Sequence, residues 1–144
     1  MKQKQPARAG GDFKKILHNA KLKSTDPRLA VLKALREVKR PETAQEIHKR
    51  LKNIDLVTLY RTLASFEEKQ LVKRIDLHKD AICYELNTGH HHHIVCTNCG
   101  TVEDFEICDK NRLIKNIVAK ASKFKNIKEH SLELFGICNA CVKN

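Results

Sequence analysis

The chain has 144 residues, a formal net charge of +11 and six cysteines, which is enough sequence for one domain or two small ones. No run approaches the roughly 18 apolar residues that a membrane span requires, and Met1–Gly11 is basic without the apolar core of a secretory signal. We therefore expect a cytoplasmic protein that does not enter a membrane, with residues 1–11 as a flexible basic arm.

Positive charge is concentrated in the first part of the chain. Residues 1–80 contain 20 Lys and Arg against 10 Asp and Glu, whereas residues 81–144 contain 8 against 7. A basic region beside a nearly neutral one is typical of a protein whose first part binds a polyanion, most often nucleic acid. The charge alone fits an ordinary lysine-rich surface equally well.

The spacing of apolar residues predicts two helices in the first 40 residues. The first covers residues 12–21, with lysines between its apolar positions. The second begins near Asp26, which we expect to be its N-cap, with Pro27 in the first helical position. It ends before Pro41, because proline cannot continue a helix.

Capping residues mark two further helices. Thr43 is expected to cap the third helix, and Glu46 stands where it would complete a capping box. Asp55 opens a fourth helix that runs to about Gln70. Four of its apolar residues recur at helical spacing and are predicted to form its buried stripe: Leu56, Leu59, Leu63 and Phe66.

A predicted β-hairpin follows the helices. Two β-like runs, Leu71–Leu77 and Ala81–Leu86, are joined by a polar turn at residues 78–80. Helices followed by a hairpin are the element order of a winged helix-turn-helix. Residues 12–86 are therefore predicted to form a DNA-binding domain.

The fourth helix is the candidate for DNA recognition. In a helix-turn-helix the second helix enters the major groove, where Thr58, Tyr60 and Arg61 could contact phosphates or base edges. Taken alone, Tyr60 could instead cover the core, and Arg61 could be a solvated charge. The helix order, the hairpin and the basic charge together favour DNA binding.

The sequence changes character after residues 87–89, which we interpret as a hinge. Strands are expected at Ile94–Cys96 and Thr101–Phe105, and another over Ile127–Phe135. Between them, apolar residues at helical spacing mark an amphipathic helix: Leu113, Ile114, Ile117, Val118 and Ala121. Residues 90–144 are thus predicted to form a second, α/β domain.

Two Cys-x-x-Cys pairs carry the clearest chemical signal: Cys96, Cys99, Cys138 and Cys141. Four thiolates are the number that closes a tetrahedral zinc site, and a reducing compartment favours zinc thiolates over disulfides. A disulfide pair or buried free thiols are the alternatives. The other two cysteines, Cys83 and Cys108, are interpreted as ordinary thiols.

Four consecutive histidines, His90 to His93, stand just before the first cysteine pair. Alternate side chains of a strand point to opposite faces. His91 and His93 would therefore face one way, and His90 and His92 the other, so that one run offers two metal sites. A solvated polar run is the alternative.

Three segments closely resemble the ferric uptake regulator family: Asp55–Leu63, His90–Gly100 and His130–Cys141. They occur in the family's order, and the likeness runs from about Leu22 to Cys141. The resemblance implies a dimeric, metal-responsive repressor with an N-terminal winged helix and a C-terminal α/β dimerisation domain. It also implies that Arg28 contacts DNA together with the segment from Thr58 to Arg61.

By this resemblance, the regulatory metal site would combine two histidines with two carboxylates: Glu85, His91, His93 and Asp104. A lesser site would combine three histidines: His90, His92 and His130. The family adds an acid from the following helix to that site, and Asn111 stands in its place. Glu106 or Asp109 would have to substitute for it.

The chain departs from the family's pattern just before the third helix. Many iron- and peroxide-sensing members have a metal-binding histidine there, whereas this chain has Arg40, and an arginine cannot be a ligand at physiological pH. The regulatory metal would have to manage without it, or recruit Asp76, His78 or Cys83. Such a site suits Zn2+ and could also hold Fe2+ or Mn2+.

The sequence therefore predicts an α+β protein that acts as a homodimeric, metal-dependent repressor of metal-homeostasis genes on a double-stranded DNA operator. Iron-based peroxide sensing is an alternative within the same fold; Asp104 is compatible with it, and the absence of the helix histidine argues against it. A zinc-thiolate storage module is an alternative of another class. No enzyme is expected, because four cysteines leave no open position on a zinc ion.

Overall fold

The fold was obtained as a computed structural model, and its described residues form two compact units. The first unit ends at Gly89 and the second begins at His90. At residues 110 and 111 the backbone alone is described. The structure describes residues 12–38, 40–77, 81–106, 110–121, 123–128 and 130–142.

The first unit contains the four predicted helices and a small antiparallel sheet. In chain order its elements are α1 (Phe13–Asn19), α2 (Asp26–Glu37), β1 (Glu42–Thr43), α3 (Ala44–Arg50), α4 (Leu56–Glu68), β2 (Val72–Ile75) and β3 (Cys83–Leu86). The strand order is β1-β3-β2. The predicted hairpin is formed by β2 and β3, in which Val72 pairs with Leu86 and Ile75 with Cys83. This arrangement is a winged helix.

The core of this unit lies where the helices meet. Its fully buried members come from α1 to α4: Leu17, Val31, Leu32, Ile47, Leu59, Leu63 and Phe66. The prediction that Leu56 belongs to the buried stripe is wrong, because its side chain is 37% exposed. Leu56 begins the helix, and helical side chains lean towards the N-terminus, so that its side chain extends past the edge of the core. Thr62 is buried on this helix instead.

The predicted N-terminal caps of α3 and α4 are confirmed, whereas that of α2 differs. The Thr43 hydroxyl accepts a hydrogen bond from the Glu46 amide at 3.2 Å, and the Thr43 amide donates to the Glu46 carboxylate at 2.7 Å, which confirms the capping box. The N-cap of α2, however, is Thr25 and not Asp26. The helix begins one residue earlier than expected, and Asp26 lies in its first turn, where a carboxylate favourably meets the helix dipole.

The second unit is built on a mixed sheet. Its elements are β4 (His92–Cys96), β5 (Val102–Phe105), α5 (Lys110–Lys120), β6 (Glu133–Gly136) and α6 (Asn139–Val142). The strand order is β5-β4-β6, with β5 antiparallel and β6 parallel to the central strand β4. Within the described residues, no helix is long and apolar enough to cross a membrane.

The last predicted strand is much shorter than the sequence suggested. A strand over Ile127–Phe135 was expected, whereas β6 covers only Glu133–Gly136. Its length is set by its partner, because on this side of β4 the described pairs run from His93 with Glu133 to Cys96 with Gly136. The pairing between distant segments, which local patterning does not record, therefore decides where this strand begins.

Candidate metal centres and nucleic-acid interface

The four cysteines of the Cys-x-x-Cys pairs converge in the second unit. The sulfur atoms of Cys96, Cys99, Cys138 and Cys141 all lie within 4.8 Å of one another. The Cys99 and Cys138 sulfurs are 3.7 Å apart, whereas a disulfide requires about 2.05 Å. Zinc–sulfur bonds of about 2.3 Å place the sulfurs of a tetrahedral site about 3.8 Å apart. The cluster therefore fits a zinc ion, and no disulfide links the described cysteines.

Two features of the fold bring these sulfurs together. Cys96 ends β4 and pairs with Gly136 of β6, so that Cys138 follows the parallel strand at the same edge of the sheet. The Gly100 amide donates to the Cys96 carbonyl at 2.9 Å, and Gly100 has a φ of +73°, a conformation that favours glycine. This turn directs the Cys99 side chain back towards Cys96.

The thiols of the cluster differ strongly in acidity. Backbone amides of Cys138 and Cys99 lower the pKa of Cys96 to about 6. The pKa of Cys141 is raised to about 12: the Asn98 side chain acts to lower it, but the Cys138 and Cys99 sulfurs outweigh that effect. Because four thiolates repel one another, they require a cation between them to be deprotonated together. The donor set is that of a metal thiolate site.

Three histidines form a second cluster in this unit. The ring of His90 lies 4.5 Å from that of His92 and 4.7 Å from that of His130, measured between centroids. The Nε2 atom of His92 is buried, with no hydrogen-bond partner among the described residues. Burial lowers the pKa of His92, and the charge of His130 lowers it further. A neutral imidazole with an unsatisfied nitrogen is the form that binds a metal ion.

The two remaining histidines lie on the same side of the chain, as strand alternation predicts. The rings of His91 and His93 lie 4.9 Å apart. Asp104 stands opposite His93 on β5, and its Oδ1 is 3.6 Å from His93 Nε2. Glu85, the other predicted ligand, is on β3 of the first unit, opposite Lys73. Its place beside the histidines stays a prediction.

The reserve ligands are only partly described. Cys83 is fully buried in β3, whereas Asp76 and Glu106 are exposed just beyond β2 and β5. Of the predicted alternatives, His78 and Asp109 lie outside the described residues; so do Cys108, which was interpreted as an ordinary thiol, and the side chain of Asn111.

An exposed face of α4 is the candidate nucleic-acid interface. Residues three and four positions apart share a helix face, and four such residues are exposed: Val57, Tyr60, Arg61 and Ala64. The Tyr60 side chain is not part of the core, because the residue is 41% exposed. Its hydroxyl accepts a 3.4 Å hydrogen bond from Gln45 of α3. This face carries a guanidinium and a phenol towards solvent.

Thr58 and Arg28 have partners within the protein. The Thr58 hydroxyl donates to the Asp55 carboxylate at 2.6 Å, and its amide donates to the same carboxylate at 2.9 Å. Thr58 thus helps to fix the first turn of α4. The half-buried Arg28 of α2 donates to the Lys23 carbonyl at 3.0 Å, which holds its guanidinium near the start of that helix.

The sequence model of the ferric uptake regulator family matches residues 19–135. The chain belongs to that family. The match begins within the first unit, ends within the second and includes the first cysteine pair and all four consecutive histidines. The family is one of transcriptional regulators and not of enzymes.

Curated members of the ferric uptake regulator family align with most of this chain. The ferric uptake regulation protein of Bordetella parapertussis is 38% identical over 134 residues, covering 88% of this chain and 94% of that protein. The peroxide-responsive repressor PerR of Staphylococcus aureus is 30% identical, covering 87% and 86%. The chain is similar to both.

Solved structures of family members share the fold. The Vibrio cholerae ferric uptake regulator superposes with a TM-score of 0.73 at 36% identity, covering 88% of this chain and all of that one. The Francisella tularensis regulator, solved with iron, gives 0.72 at 29% identity, covering 84% and 95%. Members of this family bind metal ions, and this chain has the residue clusters to do so.

Arg40, where the family resemblance led us to expect a metal-binding histidine, belongs to an ion-pair network. Its guanidinium donates to the Glu46 carboxylate at 3.2 Å and lies 3.7 Å from the carboxylate of Glu42. The sequence marks Arg40 as a departure from the family's pattern but does not indicate its partners. Nor does it indicate Gln45, because the contact with Tyr60 joins residues 15 positions apart on different helices.

Proposed function

We propose that this protein is a metal-dependent transcriptional repressor that binds operator DNA as a homodimer in the cytoplasm and controls genes of metal homeostasis. The observation that carries this proposal is that the two units carry different functional groups. The first is a winged helix with an exposed face bearing Tyr60 and Arg61, and the second holds the clusters of metal-binding side chains.

The four-cysteine cluster is proposed to hold a structural zinc ion. Cys96, Cys99, Cys138 and Cys141 supply four sulfurs and leave no position for a substrate or water. The cysteines join the end of β4 to the segment after β6, so that a shared ion would stabilise the sheet of the second unit. This role supports folding and not sensing.

The regulatory site is proposed to use Glu85, His91, His93 and Asp104. A divalent ion bound there would link the two units, since Glu85 belongs to the first and the other three to the second. To switch a population almost completely, the bound state must be favoured by about 5 kcal/mol. Two imidazoles with two carboxylates suit Zn2+ or Fe2+, and also Mn2+. The Francisella tularensis relative solved with iron supports Fe2+ as one of these ions.

The cluster of His90, His92 and His130 is proposed as a secondary site. Its three imidazoles leave room for a further ligand, and Glu106 is the described carboxylate that follows β5. Because this cluster has no thiolate and no assigned acid, we propose weaker binding than at the four-cysteine site.

On the DNA side, Arg28, Thr58, Tyr60 and Arg61 are proposed as contacts. Arg61 is exposed and can reach a phosphate or the edge of a guanine. The Thr58 hydroxyl already donates to the Asp55 carboxylate, so we propose that Thr58 positions α4 against the DNA backbone. Arg28 and Tyr60 would contact the DNA phosphates next to this helix.

Peroxide sensing is a second candidate, favoured by the similarity to the PerR repressor of Staphylococcus aureus. The same regulatory residues would serve, with iron bound. The Arg40 guanidinium, paired with Glu42 and Glu46, cannot act as a further ligand in that chemistry. We therefore propose metal sensing as the main function.

The decisive experiment selects duplexes from a random library with the zinc-loaded full chain and each added metal. Binding to the selected duplex is then titrated with Zn2+, with anaerobic Fe2+ and with Mn2+, and peroxide is added to the iron sample. We expect one metal to raise specific affinity at least tenfold. Equal affinity with and without every metal contradicts sensing, and loss of binding only after peroxide favours the second candidate.

A variant pair tests the DNA-binding face. Arg61→Ala is expected to weaken binding by about 1–3 kcal/mol and to lower the salt dependence by about one phosphate contact. The matched control Lys120→Ala removes an exposed positive charge from the second unit and should leave affinity unchanged. Similar losses in both variants would mean that only the overall charge attracts DNA.

A further inference from the structure

Residues 87–89, between β3 and the histidine run, are held against the winged helix by three hydrogen bonds. The Asn87 amide donates to the Leu71 carbonyl at 2.9 Å, and the Asn87 side chain donates to the Gln70 carbonyl at 3.0 Å. The Lys73 ammonium donates to the Gly89 carbonyl at 2.7 Å. The acceptors at 70 and 71 lie just before β2, and Lys73 lies within it. The linker therefore runs back along the start of the hairpin.

Lys73 is suited to hold this segment. It stands on β2 opposite Glu85, and its ammonium lies beyond the end of β3, at a carbonyl 16 positions later in the chain. The contact is partly buried. Hydrogen bonds from an ionised donor are shorter and stronger than neutral ones, and partial burial protects them from competing water.

Gly89 marks the point where the chain leaves the hairpin. Its φ is +118°, which is accessible to glycine and strained for other residues. A Cβ added there would meet nothing within 4 Å, so that the backbone conformation, and not crowding, requires glycine. The first compact unit ends at this residue.

We propose that Lys73 and Asn87 latch residues 87–89 onto the winged helix, so that the two units pivot about the Gly89–His90 junction and not about the whole linker. Lys73 is then a positioning residue for the linker. The flexible joint shrinks to the residue pair that directly precedes His91. Motion of the winged helix is thereby transmitted to the histidine run without slack in residues 87–89.

The consequence for regulation rests on the proposed function. Ordering the backbone of a free residue is entropically unfavourable. Because the latch already orders residues 87–89 before a metal ion binds, the metal does not have to supply that free energy. The latch itself requires only the contacts of the first unit.

The test is backbone 15N relaxation on the zinc-loaded full chain. In the wild-type protein, we expect the amides of Asn87, Thr88 and Gly89 to have order parameters near those of β3, about 0.85, with the first drop at His90. Lys73→Met should lower the values at Thr88 and Gly89 below about 0.6. The control Lys69→Met removes an exposed ammonium whose described ion pair is with the neighbouring Glu68, and it should change none of these values.

A second variant keeps the test decisive if Lys73→Met disturbs β2. Asn87→Ala removes the side-chain hydrogen bond to Gln70 while keeping the backbone amide, and it should lower the order parameters at positions 87 and 88 in the same measurement. The proposal is overturned if residues 87–89 of the wild-type chain are as mobile as His90. It is also overturned if both variants match the Lys69→Met control. Neither result depends on whether the protein senses metal.

Discussion

The buried carboxylate of Glu42 accepts a hydrogen bond from the guanidinium of Arg50. The Glu42 side chain is only 4% exposed. The same nitrogen of Arg50 donates to the Ala34 carbonyl at 3.0 Å. One guanidinium thus connects α2, β1 and α3, the elements that precede the candidate recognition helix.

Replacing Arg50 with Met should destabilise the first unit by about 2–3 kcal/mol, because it leaves the buried Glu42 carboxylate with Arg40 at 3.7 Å as its nearest described cation. The chain has two tyrosines and no tryptophan. Both tyrosines, Tyr60 and Tyr84, lie in this unit, so that tyrosine fluorescence during urea unfolding reports on it alone.

Arg74→Met is the control for this change. Arg74 is half exposed and lies 3.8 Å from the exposed Glu67, a pair that should contribute less than about 1 kcal/mol. If Arg50→Met costs no more than Arg74→Met, the guanidinium that joins the three elements is not a significant source of stability.

The capping box of α3 should make the free energy of unfolding depend on pH. Partial burial acts to raise the pKa of Glu46, but the Thr43 amide and Arg40 outweigh it and hold the pKa below the ordinary value of 4.5. The folded state therefore binds this proton less readily than the unfolded state. Its contribution is present above 4.5 and is lost as pH falls through the lowered pKa.

Glu46→Gln isolates this effect, since glutamine can keep the capping geometry. The difference in unfolding free energy between the wild type and this variant should be largest near neutral pH and shrink below about 4.5. Urea titrations at a series of pH values measure it. A difference that stays constant across the series would show that the charge of Glu46 does not contribute.

Removal of one sulfur should release the zinc ion proposed for the four-cysteine cluster. Cys138→Ser replaces a thiolate by a poor zinc ligand, and we expect the purified chain to lose the zinc that survives dialysis against a mild chelator. The far-ultraviolet circular dichroism spectrum of the chain should then show a loss of β-structure, because a structural zinc ion contributes to the folding free energy of its domain.

Cys83→Ser is the matched control for zinc content. Cys83 is buried in the first unit, outside the four-sulfur cluster, and its loss should leave the retained zinc unchanged. Retention of zinc by Cys138→Ser at wild-type affinity would refute the assignment of these four sulfurs.

An apolar surface of the second unit should mediate dimerisation. Ile94 of β4 pairs with Leu134 of β6, and the two are 40% and 42% exposed. Leu113 and Ile117 on α5 are exposed to similar extents. Exposed apolar residues of this number on so small a unit are typical of an interface.

Leu134→Glu places a charge on this surface and should convert the dimer into a monomer, as measured by sedimentation equilibrium. Lys115→Glu makes a change of charge at an exposed polar position of α5 and should leave the dimer intact. A dimer that persists in Leu134→Glu means that another surface holds the two copies together.

The elements that the sequence predicted well are those with local causes. The helices follow from apolar spacing and from capping residues such as Thr43, which act within one turn. The two-residue strand β1 and the true start of β6 were not predicted, because both are set by partners far along the chain: Tyr84 and Cys83 for β1, and β4 for β6.

The candidate sites likewise combine features with local causes, which could be predicted, and contacts between distant residues, which could not. The grouping of the four cysteines could be predicted because each pair is local and the coordination number of zinc joins the pairs. The contacts from Arg50 to Ala34 and from Lys73 to Gly89 each span 16 positions. Nothing in the local pattern around a lysine or an arginine indicates which distant carbonyl it will meet.

The parallel pairing of β4 with β6 has a consequence for biosynthesis. Cys99 and Cys138 are 39 positions apart, so that a nascent chain exposes its first two thiols long before their partners emerge. Since domains tend to fold as units from the N-terminus during synthesis, the winged helix can be folded before Cys138 and Cys141 have been synthesised. Zinc binding at the four-cysteine cluster, as proposed above, would then be a late step in maturation, and a shortage of zinc would leave chains with a folded winged helix and an incompletely folded second unit.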